Sequence, residues 1–246
     1  MSIADKLITV ADNVPKVYES GKQAGQAEFW DTYLGDQYNL NYAFVGGKWT
    51  KDSFTPTKDL CPQNGNYMFY RFHNAGDGTT IDLESHLESL GIKLDTSKLG
   101  SCQYMFRESY IKRLGVINVS SLWGSQSVNY TFYNASWLTK IDKLIVSEKT
   151  KYSSPFQGAS RLADLTVEGV IGQSGFSVSS CTDLTKASIT SIINALSDTT
   201  SNIAVTLSKT AVNKAFEISQ GAKDGSTSEE WANLIATKSN WTISLS

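Results

Sequence analysis

Internal repetition is the feature that most limits what this 246-residue chain can fold into. Segments that begin at Phe106, Phe132 and Phe156 share a pattern of one phenylalanine, a small residue three positions later, and then two aliphatic residues. The three phenylalanines are 26 and 24 residues apart, and a fainter fourth copy begins at Phe72. A unit of this length cannot bury its apolar side alone, so it becomes stable only when neighbouring units stack on it. The chain is therefore predicted to build its core from stacked repeats.

Each repeat is predicted to supply one short strand and one return segment. Because side chains alternate along a strand, aliphatic residues two positions apart would point inward together. Such pairs recur with the repeats and predict successive parallel strands: Ile92/Leu94, Ile117/Val119, Leu144/Val146 and Leu165/Val167. The predicted repeat core consists of four phenylalanines and the aliphatic residues that follow two of them: Phe72, Phe106, Phe132, Phe156, Leu138, Ile141, Leu162 and Leu165.

The remaining sequence divides into segments on either side of the repeat region, which covers 69–180. Residues 1–34 predict a helical segment, because apolar residues recur along it at spacings of three and four. They are Ile3, Leu7, Val10, Val14 and Val17. This stripe would serve docking or homo-oligomerisation, or the helix would pack on its own domain. Residues 35–68 predict an irregular connector between this helix and the repeats.

Residues 181–246 predict an α/β capping module, which a stack of repeats needs in order to cover its exposed end. A helix is expected where Ile189, Ile192, Ile193 and Leu196 recur. Two further strands are expected at Ile203–Leu207 and Trp241–Leu245, where large apolar residues occupy every second position.

Composition and charge exclude several classes of function. The chain has 22 Lys+Arg and 24 Asp+Glu, which gives a net charge of −2 and argues against nucleic acid as a partner. No apolar stretch approaches the roughly 20 residues of a membrane span, and no secretion signal is recognisable at the N-terminus. Three widely spaced cysteines do not form a zinc pattern, and we expect them to be buried thiols, or to pair if the protein is exported.

The usual traces of catalysis are missing from the sequence. The segment from Gly172 to Gly175 is one residue short of a nucleophile elbow, and no phosphate loop or metal-binding motif occurs. Histidine catalysis has two candidates, His73 and His86; Glu84 lies near His86, but on a helix a spacing of two residues points the two side chains apart. We therefore expect no enzyme, no cofactor and no metal. Paired carboxylates stay open as an alternative, because their pairing is spatial; Asp142 and Asp164 are the candidates.

The repeat units resemble the BspA-like class of leucine-rich repeats, through the pattern of Phe, a small residue and two aliphatic residues. The wider arrangement, including Phe29-Trp30-Asp31 and Ser239-Asn-Trp241-Thr, resembles leucine-rich-repeat proteins encoded in phage and prophage tail regions of gut Firmicutes. This resemblance implies an α/β fold, an irregular leucine-rich-repeat solenoid of stacked parallel strands with an N-terminal helix and the C-terminal cap. It also implies a tail-associated location on a virion.

The leading functional hypothesis is a non-enzymatic tail protein that binds a bacterial surface component or another tail protein. Its partner would be a protein or a cell-surface glycan. The alternatives are a purely structural scaffold subunit and a leucine-rich-repeat adhesin on a bacterial cell surface. Aromatic side chains exposed on a stack of repeats commonly bind protein or sugar, although core packing is the alternative for each. The candidate binding residues are Tyr110, Trp123, Tyr133 and Trp137.

Overall fold

The computed structural model describes residues 40, 42–45, 54–73, 80–122, 127–199, 203–219 and 228–246. The predicted N-terminal segment 1–34, with its apolar stripe Ile3, Leu7, Val10, Val14 and Val17, lies outside the described residues. The candidate binding residue Trp123 lies outside them as well.

The described residues form nine strands and four helices. The strands are β1 (Ile81–Asp82), β2 (Ile111–Asn118), β3 (Ser127–Asn129), β4 (Lys140–Val146), β5 (Lys151–Ser153), β6 (Asp164–Gly169), β7 (Ser177–Val178), β8 (Ile203–Leu207) and β9 (Trp241–Leu245). The helices are α1 (Leu83–Ser89), α2 (Lys186–Asn194), α3 (Lys209–Ala215) and α4 (Glu229–Ala236). Strands β8 and β9 have the predicted bounds, and helix α2 contains Ile189, Ile192 and Ile193 as predicted, whereas Leu196 lies beyond its end.

Every strand pair is parallel, which confirms an α/β fold with parallel sheets. The main sheet has the order β1-β2-β4-β6, and the two smaller sheets have the orders β3-β5 and β7-β8-β9. In the main sheet Leu114 lies opposite Ile141, and Ile141 lies opposite Leu165. Residues at equivalent positions of consecutive repeats therefore lie side by side.

A column of phenylalanines runs through the core at the return corner of the repeats. Ring centroids are 5.2 Å apart from Phe44 to Phe69, 5.5 Å from Phe69 to Phe106, 5.5 Å from Phe106 to Phe132 and 4.9 Å from Phe132 to Phe156. In the last three pairs the ring planes differ by no more than 6°. Adjacent strands lie about 4.8 Å apart, so equal side chains in adjacent repeats meet face to face. We call these five residues the phenylalanine column.

The column contains Phe69, whereas the sequence pattern had aligned Phe72 with the other phenylalanines. The backbone N–H of Phe69 donates to Met105 O at 2.8 Å, just as the N–H of Phe106 donates to Thr131 O at 2.8 Å. Phe72 is also fully buried, but it lies three residues further along and contacts Phe69 and Phe54 edge to face. The sequence pattern is shifted by three residues in this unit, because Phe72 stands at the position where the later repeats have a small residue.

The other predicted core residues, Leu138, Ile141, Leu162 and Leu165, are all at most 1% exposed. The core also takes in residues from the segment 35–68, for which the sequence predicted an irregular connector. Leu40, Phe44, Phe54 and Leu60 of that segment belong to the same apolar cluster, which extends as far as Trp241. Among the described residues, no helix is long and apolar enough to cross a membrane.

Each repeat turns its corner through two residues with left-handed backbone. The first has a φ of 54° at Tyr67, 56° at Tyr104 and 49° at Tyr130. The second follows four residues later, as at Glu108 (54°) and Asn134 (52°). This conformation costs a residue other than glycine roughly 1–2 kcal/mol, so the surrounding stack must impose it. Because this left-handed conformation recurs at the same two positions, the side chains on either side of the phenylalanine column point in the same direction in successive repeats.

Helix α2 closes the open edge of the main sheet at β6. The backbone N–H groups of Leu165 and Val167 donate to Ser188 Oγ and Ser191 Oγ, both at 2.9 Å. The Ser188 hydroxyl in turn donates to Ala163 O at 2.9 Å. Two serines one helical turn apart thus replace part of the hydrogen bonding that a further strand would supply.

Replacing Ser188 with alanine should lower the free energy of unfolding by about 1–3 kcal/mol, because it leaves the buried N–H of Leu165 without its acceptor. Urea unfolding measures the change. The control is Ser160→Ala, an exposed serine whose loss should change stability by less than about 0.5 kcal/mol. Equal effects of the two substitutions would contradict the role assigned to Ser188.

The three cysteines are present as thiols, and two of them should resist modification in the native protein. Burial raises the pKa of Cys102 to about 11 and that of Cys181 to about 12, whereas Cys61 is partly exposed. At pH 8 we expect Cys61 alone to react with Ellman's reagent in the native protein, at a reduced rate because burial and Asp95 raise its pKa, and all three thiols to react in guanidinium chloride. Rapid reaction of all three native thiols would show that this core is not packed as described.

Candidate binding face

A row of tyrosines extends along the repeats at the first left-handed position of the corner, which Ser154 occupies in the repeat of Phe156. The ring centroids are 4.6 Å apart from Tyr42 to Tyr67, 4.8 Å from Tyr67 to Tyr104 and 5.4 Å from Tyr104 to Tyr130. All three pairs are stacked. Each tyrosine precedes a member of the phenylalanine column by two residues, so the column sets the spacing of this tyrosine row.

A second row contains planar side chains of four kinds and is called the mixed row below. His73 and Tyr110 have ring centroids 5.3 Å apart, and Tyr110 stacks on Trp137 at 5.8 Å. The guanidinium of Arg161 lies 4.5 Å from the centroid of Trp137. The mixed row therefore joins two candidate binding residues, Tyr110 and Trp137, in one array.

A cleft of about 360 Å³ is lined by the mixed row and by the residues at the second left-handed position. From the mixed row it takes His73, Tyr110 and Trp137. The lining is completed by polar and charged side chains: Arg71, Glu108, Asn134 and Ser136. Hydrogen-bond donors and acceptors thus converge beside aromatic rings, as in many small-ligand sites.

Two arginines hold the carboxylate of Glu108. Arg71 Nε donates to it at 2.7 Å, and Arg107 approaches it with Nη2 at 2.9 Å. Burial alone would raise the pKa of Glu108, but the hydrogen bonds from Arg71 and Arg107 hold it below its usual value. Glu108 is therefore ionised at neutral pH and acts as a hydrogen-bond acceptor rather than a proton donor.

Arg107 also organises the tyrosines around it. Its guanidinium lies 5.1 Å from the ring centroids of Tyr104 and Tyr133, and 5.4 Å from that of Tyr70. Tyr133, the third candidate binding residue in the described part of the chain, also meets Tyr130 edge to face at 5.4 Å. These contacts position the three rings around Arg107. We call the tyrosine row, the mixed row, the cleft and the residues Tyr70, Arg107 and Tyr133 together the candidate binding face.

The stacking determines which parts of the aromatic rings a ligand can reach. Trp137 has Tyr110 on one side and Arg161 within cation–π distance, and Tyr110 also contacts His73. A ligand would therefore meet ring edges, hydroxyl groups and the flanking polar side chains more readily than the ring faces.

Sequence reasoning missed the charged part of this face. Arg71, Glu108 and Asn134 follow Phe69, Phe106 and Phe132 by two residues, so the repeat register could have placed them in one row. The sequence pattern starts this unit at Phe72 instead of Phe69, which hides the equivalence of Arg71 with Glu108. In addition, strand periodicity does not predict where a side chain points at a left-handed corner.

The carboxylates considered for catalysis are differently placed. Asp142 accepts hydrogen bonds from Arg113 Nη2 at 2.5 Å and Nε at 3.2 Å, and Lys140 lies 3.3 Å away. The hydrogen bond from Arg113 keeps the pKa of Asp142 below its usual value. Asp164 is an exposed residue at the start of β6. His86 is buried, with its ring beside Phe54.

The geometry of the candidate binding face is thus defined by stacked rings, paired arginines and one polar cleft. Comparisons of the chain with protein-family models, with curated proteins and with solved structures found no match.

Proposed function

We propose that this chain is a non-enzymatic binding protein of the leucine-rich-repeat type, and that its candidate binding face recognises a bacterial surface component. The observation that carries the proposal is the convergence of Tyr110, Trp137 and Glu108 in one polar cleft beside an ordered row of tyrosines.

The finer description of the fold, an irregular leucine-rich-repeat solenoid, belongs to this proposal. Three regularities support it: the phenylalanine column, the paired left-handed corners and the parallel register of the main sheet. Each of them repeats once per sequence unit. A stack of units in which each contacts its neighbours accounts for all three.

The composition of the face supports recognition of a partner. Tyrosine, tryptophan and arginine are the residues that most often dominate binding energy at interfaces. Here the rings are already stacked and Arg107 is held by Glu108, so binding would immobilise few additional rotatable bonds. Rigid aromatic side chains with polar atoms at their edges suit a surface that binds by contact.

The electrostatics of Glu108 on the face, and of Asp142 on strand β4 outside it, support binding rather than catalysis. Glu108 is neutralised by two arginines, and Asp142 by Arg113 and Lys140. Both carboxylates have a pKa below the usual value, the opposite of what a general acid at neutral pH requires.

Location on a phage or prophage tail is proposed from the sequence resemblance alone.

The proposal predicts that the purified chain binds isolated bacterial envelopes, and that Trp137→Ala weakens binding about thirtyfold or more. The physical reason is that truncating a central tryptophan costs about 2 kcal/mol or more at such a surface. Co-sedimentation with envelopes at increasing protein concentration measures the affinity. Tyr133→Ala should weaken binding in the same direction.

Val116→Ala is the matched control, since Val116 is an exposed apolar residue on strand β2 of the main sheet, 47% exposed. Thermal unfolding of each variant establishes that it is folded. Envelope binding that is equal in wild type, Trp137→Ala and Val116→Ala would contradict the proposed face. Absence of binding to any envelope would favour the scaffold alternative.

A further inference from the structure

The candidate binding face carries more positive than negative charge. Arg71 and Arg107 share the single carboxylate of Glu108. Arg161, which is exposed and lies over Trp137, has no carboxylate within ion-pair distance among the described residues. A cation held in place by an aromatic ring, but without a counter-charge, is suited to an anionic ligand.

The cleft beside Arg161 offers groups that pair with hydroxyls. Glu108 accepts hydrogen bonds, and the Asn134 amide and Ser136 hydroxyl both donate and accept them. The cleft volume of about 360 Å³ lies near the lower end of the range for small-molecule sites. Ring edges, hydroxyl partners and one cation together match a sugar that carries a carboxylate.

The spacing of the rows indicates how such a sugar would be arranged. Successive members of the mixed row are 5.3 Å, 5.8 Å and 4.5 Å apart, one member for each repeat. A pyranose ring linked through equatorial positions advances by a closely similar length. A β-1,4-linked chain lying along the stack would therefore present one sugar to each repeat.

We infer that the ligand of the candidate binding face is a linear β-1,4-linked polysaccharide whose sugars bear carboxylates, aligned along the mixed row with a carboxylate on Arg161. This inference rests on the proposed function and deepens it by naming the class of surface component. Arginine is the appropriate residue, because its planar guanidinium can bind a carboxylate through two hydrogen bonds.

The test uses the full chain and two trisaccharides that differ only at C6 of each ring, which is a carboxylate in one and a hydroxymethyl group in the other. β-1,4-linked trimannuronate carries a carboxylate on each ring, whereas β-1,4-mannotriose has the same linkage and is neutral. In calorimetric titration at low salt, trimannuronate should bind at least about tenfold more tightly than mannotriose, because charge-assisted hydrogen bonds are stronger than neutral ones. Added sodium chloride should reduce this difference.

Two variants assign the preference to a residue. Arg161→Gln should remove most of the preference for trimannuronate over mannotriose, because the guanidinium that binds the carboxylate is then absent. The control is Lys209→Gln, which removes an exposed cation from α3 and should leave both affinities unchanged. Equal affinity for the two sugars, or a preference that survives in Arg161→Gln, would overturn the inference.

Failure of this inference can be distinguished from failure of the proposed function. If neither trisaccharide binds but envelope binding is still lost in Trp137→Ala, the face binds a component of another class and only the inference is overturned. If envelope binding is insensitive to Trp137→Ala, the proposed function itself fails.

Discussion

Face-to-face contact between equivalent phenylalanines is the interaction on which the rest of this structure depends. Parallel strands in register place equivalent residues of adjacent strands side by side, about 4.8 Å apart. That distance suits stacked aromatic rings, and Phe69, Phe106, Phe132 and Phe156 use it in the centre of the core. The rings of Phe106 and Phe132 are thus each buried between two other phenylalanine rings. The two left-handed corners of each repeat hold its backbone around the column.

The same geometry generates the candidate binding face. A residue type that recurs at one position of the repeat becomes a row on the surface, with the spacing of the phenylalanine column. Tyrosine two residues before the column gives the tyrosine row, and arginine, glutamate and asparagine two residues after it give the polar side of the cleft. The parallel register of the strands thus produces both the phenylalanine column in the core and the rows on the surface. The charges on the face follow from which residues occupy it: one glutamate between two arginines, and Arg161 over Trp137.

Much of the fold could be predicted from the sequence, because apolar periodicity reports burial directly. Strands β8 and β9 begin and end where alternation predicted, and the parallel sheets follow from the repeats. The register at Phe69 could not be predicted, since Phe72 satisfies the same pattern and both are buried. The charged half of the face was also missed, because left-handed corners redirect Arg71 and Glu108 in a way that strand alternation does not encode. The sequence predicts that Tyr110 and Trp137 lie outside the inward strand positions, and both are half-buried, but their mutual stacking depends on contact between neighbouring units.

The most direct test of this account is a double-mutant cycle between Phe106 and Phe132, each replaced by leucine, with stability measured by urea unfolding. If stacking couples adjacent repeats, the two substitutions should show a coupling energy of about 0.5–1.5 kcal/mol. The control cycle pairs Phe106→Leu with Phe216→Leu, whose ring packs on Trp231 instead, and its coupling should be below about 0.5 kcal/mol. Additive effects of Phe106→Leu and Phe132→Leu would contradict the central role of the phenylalanine column.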